Sequence, residues 1–140
     1  LGVDPLSIYA HSNGRGRILD GKGTSKPVAG RDVFEEIDKA IKTFRYVPIP
    51  GLPPFSGGAV GYTSYDVISE VEKTVRKPAA NPVPVPEALF MITDAFLAFD
   101  RVRHTIKIIV HAHIRDGIGP EKAYAEASAK IRKIEDKLKK

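Results

Sequence analysis

The sequence predicts an α+β fold in which an antiparallel-dominated sheet is combined with about three helices. Residues alternate between apolar and polar in two separate regions, which favours strands, and the loops inside each region are short, which favours antiparallel pairing. Three other stretches carry apolar residues at helical spacing. With 140 residues and 42% hydrophobic residues, the chain is long enough for one domain with a modest core.

The first predicted feature is a β-hairpin. Residues 6–11 alternate, which predicts a strand with Leu6, Ile8 and Ala10 on one face and Tyr9 on the wet face, beside Ser7 and His11. The Asn-Gly pair that follows offers positive φ, and the next five residues can return as a second strand.

A helix is predicted after a loop at residues 24–30. Apolar residues recur there at helical spacing, namely Val33, Ile37, Ile41 and Phe44. Asp32 is a plausible N-cap with Glu35 three positions later, an arrangement in which each side chain satisfies an unpaired amide. The helix should end before Pro48.

The stretch of residues 52–66 is predicted to pack closely against a neighbour that lies mostly outside this chain. Two prolines stiffen its start, and glycines without Cβ atoms then allow another segment to approach the main chain. The predicted close-packing residues are Phe55, Gly57, Gly58, Gly61 and Tyr62. Phosphate binding is the alternative, but the spacing is G-G-x-x-G and a proline segment, not a strand, precedes it, so packing is favoured.

A second helix is predicted from the end of this stretch to about Lys73. Its inward residues would be Val67, Ile68 and Val71, and its exposed side would carry Tyr65, Asp66 and Glu70. These last three are candidates for contact with a partner subunit, and a solvated helix face is the alternative. Four prolines then predict an exposed extended loop at residues 78–86.

The second half of the chain predicts a strand pair and a helix. Residues 87–99 are apolar on both parities, which predicts one strand covered on both faces. A five-residue loop leads to an antiparallel partner at residues 105–114, with Lys107, His111 and His113 facing outward. The final helix begins at Pro120, and its apolar stripe is Tyr124, Ala127, Ile131, Ile134 and Leu138.

The sequence shows no complete active site. Asp94 lies among apolar residues and needs a partner, for which Arg101 and Arg103 are candidates. A structural pair is favoured over a catalytic acid, because no second carboxylate is placed to share proton transfer. His111 and His113 could reach one metal ion, but no third ligand stands nearby, so a solvated strand face is favoured.

Composition excludes several classes of protein. The formal charge is +5, yet acidic residues are interspersed and aromatic residues are not interleaved with Lys and Arg, which disfavours nucleic-acid binding. There is no cysteine, no apolar run long enough to span a membrane and no signal peptide, so we expect a cytoplasmic protein. The chain starts at Leu1, and its one methionine is Met91, so we expect residues 1–140 to be a piece of a longer protein.

Two blocks of sequence resemble a known family. Residues 54–66 read PFSGGAVGYTSYD, and residues 86–94 read PEALFMITD with FDRVRH following at residues 99–104. Both blocks are similar to the N-terminal region of anthranilate synthase component I, and the opening residues 2–5 are similar to a strand start in the same family. The resemblance spans most of the chain.

The resemblance implies a role in tryptophan biosynthesis. Enzymes of this family convert chorismate and ammonia to anthranilate and pyruvate with Mg²⁺, and a glutamine amidotransferase partner supplies the ammonia. The chorismate and Mg²⁺ ligands belong to a C-terminal chorismate-binding domain outside this segment, so no catalytic, cofactor-binding or metal residue is carried over. The segment would be a regulatory or partner-docking region, incomplete at both ends.

Other readings remain open. Aminodeoxychorismate synthase component I, from the folate pathway, has a similar glycine-rich signature. A stand-alone module that binds tryptophan or an amidotransferase subunit without doing chemistry is a third reading. The tryptophan feedback site of the family includes a Leu-Leu-Glu-Ser element that does not occur in this chain.

Overall fold

The structure is a computed structural model, and it describes residues 4–21, 23–28, 33–76 and 84–140. The chain divides into two compact units. We call Pro5–Ile49 with Gly58–Thr93 the sheet unit, and Pro50–Gly57 with Asp94–Lys140 the hairpin unit. In the described ranges the chain has three α-helices and antiparallel strand pairs, so the predicted α+β class is confirmed.

The sheet unit contains a five-stranded antiparallel sheet with the strand order β3-β2-β1-β5-β4. Its strands are β1 (Ser7–Ser12), β2 (Arg15–Asp20), β3 (Ser25–Val28), β4 (Gly58–Thr63) and β5 (Ala88–Thr93). The hairpin of β1 and β2 was predicted and is confirmed. A loop was predicted at residues 24–30, but Ser25–Val28 form strand β3. This short edge strand is held by backbone pairing with β2, which does not require an alternating sequence pattern.

One face of this sheet is covered by helix α1 (Val33–Lys42). Tyr9 in β1 and Ala88 in β5 pack there with two helix residues and one residue that follows β4, namely Val33, Ile37 and Val67. The predicted apolar stripe is confirmed at Val33 and Ile37 and is wrong at Ile41 and Phe44, which are exposed. The predicted N-cap, Asp32, lies outside the described residues. The core of the sheet unit therefore lies between α1 and the central strands.

The predicted orientation of β1 is wrong. Tyr9 and His11 are buried, whereas Ile8 and Ala10 on the opposite face are only half-buried. Alternation establishes that a strand has two unlike faces, but the position of α1 decides which face is covered. The larger ring of Tyr9 fills the space under the helix, where an aromatic ring buries more apolar area than the shorter side chains would.

The helix predicted after the glycine-rich stretch is much shorter than expected. A 3₁₀ turn at Tyr65–Val67 leads into a single helical turn, α2 (Ile68–Val71). Val67 is buried as predicted, but Ile68 and Val71 are exposed, so the prediction is wrong for these two side chains. One turn of helix cannot present a complete stripe, because the stripe repeats only every three to four residues.

The hairpin unit consists of β6 (Ala95–Asp100), β7 (Thr105–Val110) and α3 (Pro120–Leu138). The antiparallel pairing of β6 with β7 and the start of the helix at Pro120 are confirmed. The single strand predicted at residues 87–99 is wrong, because the chain leaves the first sheet after β5 and Asp94 separates it from β6. The apolar residues at both odd and even positions belong here to two strands, β5 and β6, which lie in two different sheets.

Helix α3 packs on the hairpin through a narrower stripe than predicted. Ala127 and Ile134 are buried, and Ile134 contacts Ala95 and Leu97. Tyr124 is 72% exposed and Leu138 is also exposed, so the predicted stripe is wrong at both positions. Across the described part of the chain, helices fall short of the length and apolar character that a bilayer crossing requires.

Candidate functional site

The glycine-rich stretch forms strand β4, in which Gly61 is held against β5. Gly61 lies opposite Phe90 in the antiparallel register. A Cβ atom at Gly61 would overlap the carbonyl oxygen of Leu89 and lie 2.7 Å from Cα of Phe90. No side chain fits there without a backbone shift, so this strand needs glycine at position 61. The prediction of a neighbour outside the chain is wrong for Gly61, because the segment that approaches it is β5 of the same chain.

Gly57 and Phe55 lie in the hairpin unit, beside a histidine. Gly57 has φ of 152°, and a Cβ atom there would lie 2.7 Å from Nε2 of His111. The same nitrogen forms a hydrogen bond with the carbonyl oxygen of Ser56. The Phe96 ring is 6.0 Å from Phe55 and 5.9 Å from the ring of His111. The prediction that His111 lies on a solvated strand face is therefore wrong, since its ring is half-buried among these groups.

The other predicted residues of this stretch differ in their contacts and exposure. The Tyr62 hydroxyl donates a hydrogen bond of 3.1 Å to the carbonyl oxygen of Pro86. Gly58 has φ of 128° at the start of β4, a backbone conformation that favours glycine. Tyr65 is 88% exposed, and Asp66 is half-buried.

The prediction that Glu70 faces solvent is wrong. Its side chain is 18% exposed, and Oε1 lies 2.8 Å from Nε2 of His11. The 3₁₀ turn at Tyr65–Val67 separates α2 from β4, and the Glu70 side chain on α2 reaches His11 in β1. Of the three candidates for partner contact, only Tyr65 and Asp66 remain available at the surface.

Asp94 forms a buried ion pair, but with different partners from those predicted. Lys130 Nζ on α3 lies 2.8 Å from Oδ1, and His113 Nε2 lies 3.3 Å from Oδ2. Arg101 and Arg103 lie in the exposed turn between β6 and β7, at the opposite end of the hairpin from Asp94, so they do not reach its carboxylate. The carboxylate is therefore held by the ammonium group of Lys130, with the imidazole of His113 beside it, which fits a structural role better than proton transfer.

A cluster that sequence reasoning missed lies in the sheet unit. Three potential ligand atoms, one each from His11, Glu70 and Glu87, lie within 4.8 Å of one another. His11 and Glu87 are buried. The pair His11 and Glu70 is 59 residues apart in sequence, so no short motif signals it.

Together, the fold and these sites define a class: an antiparallel α+β segment in which Glu70 and Asp94 pair with basic side chains of neighbouring elements. No protein-family model matches the chain. In a comparison with solved structures, the fold is similar to anthranilate synthase component I from Streptococcus pneumoniae TIGR4, with a TM-score of 0.76 and 21% identity over 100% of this chain and 29% of that one.

Sequence relatives then identify the family. The chain is 38% identical over 135 residues to a probable anthranilate synthase component 1 of Schizosaccharomyces pombe and 35% identical over 135 residues to anthranilate synthase component 1 of Acetivibrio thermocellus. Both matches cover 96% of this chain. The chain belongs to the anthranilate synthase component I family. It spans about a quarter of the length of these relatives, 26% in both cases.

Proposed function

We propose that the chain is the N-terminal region of component I of an anthranilate synthase. The whole cytoplasmic enzyme would be a lyase that converts chorismate and glutamine-derived ammonia to anthranilate and pyruvate in tryptophan biosynthesis. The observation that carries this proposal is the 38% identity with the S. pombe relative, which extends over 96% of the chain and is not confined to one motif. The S. pombe and A. thermocellus relatives are both anthranilate synthase component 1, which favours this reading over aminodeoxychorismate synthase component I.

Within that enzyme we assign the segment a regulatory or partner-docking role, without chemistry of its own. Asp94 is held by Lys130 and His113, and the other buried carboxylates belong to the cluster with His11. Such groups cannot supply a free acid and a free base to a substrate. Tyr65 and Asp66 remain candidates for contact with a glutamine amidotransferase subunit.

The described residues do not fit the Mg²⁺ ion that the family resemblance implies. Mg²⁺ prefers a shell of oxygen ligands, mostly water, carboxylate and phosphate. The three-residue cluster found in the described ranges includes an imidazole, which suits a different ion. We therefore expect Mg²⁺ and chorismate to be bound by the C-terminal chorismate-binding domain of the same enzyme.

A chimera tests the proposal. The matched segment of the S. pombe relative is replaced by this chain, and the product is expressed in a strain that lacks component I. We expect growth without tryptophan and anthranilate fluorescence in extracts. The control carries Gly61→Val in the same chimera and should fail, because β4 cannot then pair with β5.

Other outcomes are informative. A folded chimera that makes no anthranilate would contradict the family role of this segment, and one that instead relieves a requirement for p-aminobenzoate would favour the folate enzyme. The chain alone should show no turnover of chorismate with ammonia and Mg²⁺. Measurable turnover by these 140 residues would contradict the docking role.

A further inference from the structure

The cluster of His11, Glu70 and Glu87 joins three elements at one end of the five-stranded sheet. His11 lies near the end of β1, Glu87 directly precedes β5, and Glu70 lies on α2. The His11 side chain has 0% exposure. Their potential ligand atoms lie within 4.8 Å of one another, a spacing that small side-chain rotations convert to a common coordination sphere.

Backbone hydrogen bonds hold this arrangement. The amide of Glu87 donates to the carbonyl oxygen of His11 at 2.8 Å, and the amide of Ser64 donates to the carbonyl oxygen of Glu87 at 2.6 Å. The amide of Asn13 donates to Oε2 of the Glu87 side chain at 3.0 Å. The ligand positions are therefore set by the sheet itself and not by flexible loops, which reduces the entropy lost when an ion binds.

Two polar atoms in the cluster are buried and have no hydrogen-bond partner among the described residues. They are Nδ1 of His11 and Oε2 of Glu70. Nε2 of the same imidazole is 2.8 Å from Oε1 of Glu70, so each side chain is satisfied on one side only. Leaving such atoms unpaired is unfavourable, because they have lost their hydrogen bonds to water. A bound ion would coordinate one ring nitrogen of His11 and a carboxylate oxygen of Glu70 in place of the hydrogen bond between them.

We propose that His11, Glu70 and Glu87 bind one divalent transition-metal ion of the zinc type. A neutral imidazole and two carboxylates carry a formal charge of −2, which matches a divalent cation. Zn²⁺ accepts both imidazole nitrogen and carboxylate oxygen as ligands and can keep a fourth position for water, whereas Mg²⁺ and Ca²⁺ favour oxygen ligands. The ion cross-links β1, α2 and β5. Its role is to stabilise the sheet unit, and this does not depend on the proposed enzyme function.

Metal titration of the untagged 140-residue chain tests the proposal. The chain is treated with EDTA, desalted and titrated with ZnCl₂. Bound zinc is measured after gel filtration by inductively coupled plasma mass spectrometry. We expect one zinc per chain and a melting temperature higher by about 5–10 °C at an ion concentration 100 times Kd. Millimolar MgCl₂ should give no comparable shift.

Variants locate the site. Glu70→Gln and His11→Gln should each weaken zinc binding by at least about tenfold, because each removes a ligand. Glu72→Gln is the matched control, because Glu72 is exposed and lies outside the cluster. Its carboxylate accepts hydrogen bonds from the backbone amide and hydroxyl of Thr74, which lower the pKa of the group. His113→Gln is a second control, because His113 is a half-buried histidine outside the cluster. Both controls should bind zinc like the unmodified chain.

Contrary results are well defined. Absence of bound zinc in the unmodified chain would overturn the proposal, as would unchanged affinity in Glu70→Gln. Loss of binding in His113→Gln with retention in Glu70→Gln would place the ion elsewhere and also overturn it. If His11→Gln does not fold, the partly exposed Glu70 still provides the test, because its substitution leaves the buried ring in place.

Discussion

Gly61 illustrates how a missing side chain determines local structure. The residue is required because β5 approaches β4 so closely that a Cβ atom would meet the Leu89 carbonyl oxygen and Phe90 Cα. Its backbone is not in the left-handed region, so close approach, and not φ, imposes the requirement. Glycine spacing alone indicates such an approach without revealing which neighbour makes it.

We predict that Gly61→Ala lowers the free energy of unfolding by about 1–3 kcal/mol, because the new methyl group must displace the main chain of β5. The measurement is the midpoint of urea unfolding followed by circular dichroism. Gly21→Ala is the control, since a Cβ atom there would make ordinary contacts of 3.6 Å and 3.7 Å with two carbonyl oxygens. Equal midpoints for the two variants would show that β4 and β5 can separate without cost.

Sequence reasoning identified several important residues but not their partners. It identified Asp94 as a buried carboxylate in need of a partner, yet assigned it to nearby arginines, because spacing in sequence favours neighbours. The side chain that contacts Asp94 is Lys130 on α3, which lies 36 residues further along the chain. His11 was placed on the wet face, and its cluster with Glu70 forms only when three elements meet. Long-range convergence of this kind leaves no periodic signal.

Elements with long periodic patterns were predictable, and short ones were not. Helices α1 and α3 follow from apolar spacing over ten residues or more. Strand β3 has four residues and α2 has four, which is too few for periodicity to be read. The break at Asp94 was missed because both flanking strands are apolar on both faces, so pattern alone cannot separate them.

For helix α3 we predict that Ile134→Ala lowers the free energy of unfolding by about 2–4 kcal/mol, because the truncated side chain leaves a cavity against Ala95 and Leu97. Leu138→Ala, on the exposed last turn of the same helix, should change it by less than about 0.5 kcal/mol. Thermal or urea unfolding of both variants gives the comparison. A larger loss for Leu138→Ala would contradict the observed packing of the helix.

At the scale of the whole molecule, the two edges of the five-stranded sheet differ. In the described part of the chain β4 pairs on one side only, with β5, and it contains neither proline nor charge. The opposite edge, β3, carries Lys26 and Pro27. Proline and lysine are common protection against unwanted strand pairing. The β4 edge lacks this protection.

We therefore predict that the 140-residue chain self-associates through β4. Light scattering coupled to gel filtration should show the average mass rising with protein concentration. Val60→Lys, in β4, should reduce the effect, because a charge on an edge strand opposes pairing. Val47→Lys, at another exposed valine outside the strands, is the control and should not. A monomer at every concentration with a cooperative, high-temperature melt would contradict the prediction.

The unequal edges also decide how large such an association can grow. If two copies join β4 to β4 around a twofold axis, the two margins left outside are both β3, each with a proline that cannot donate a backbone hydrogen bond. Lys26 and Pro27 on both outer edges then oppose pairing with a third copy, so the assembly would stop at two. Replacing both residues would weaken that stop and favour growth from a closed pair to an open filament.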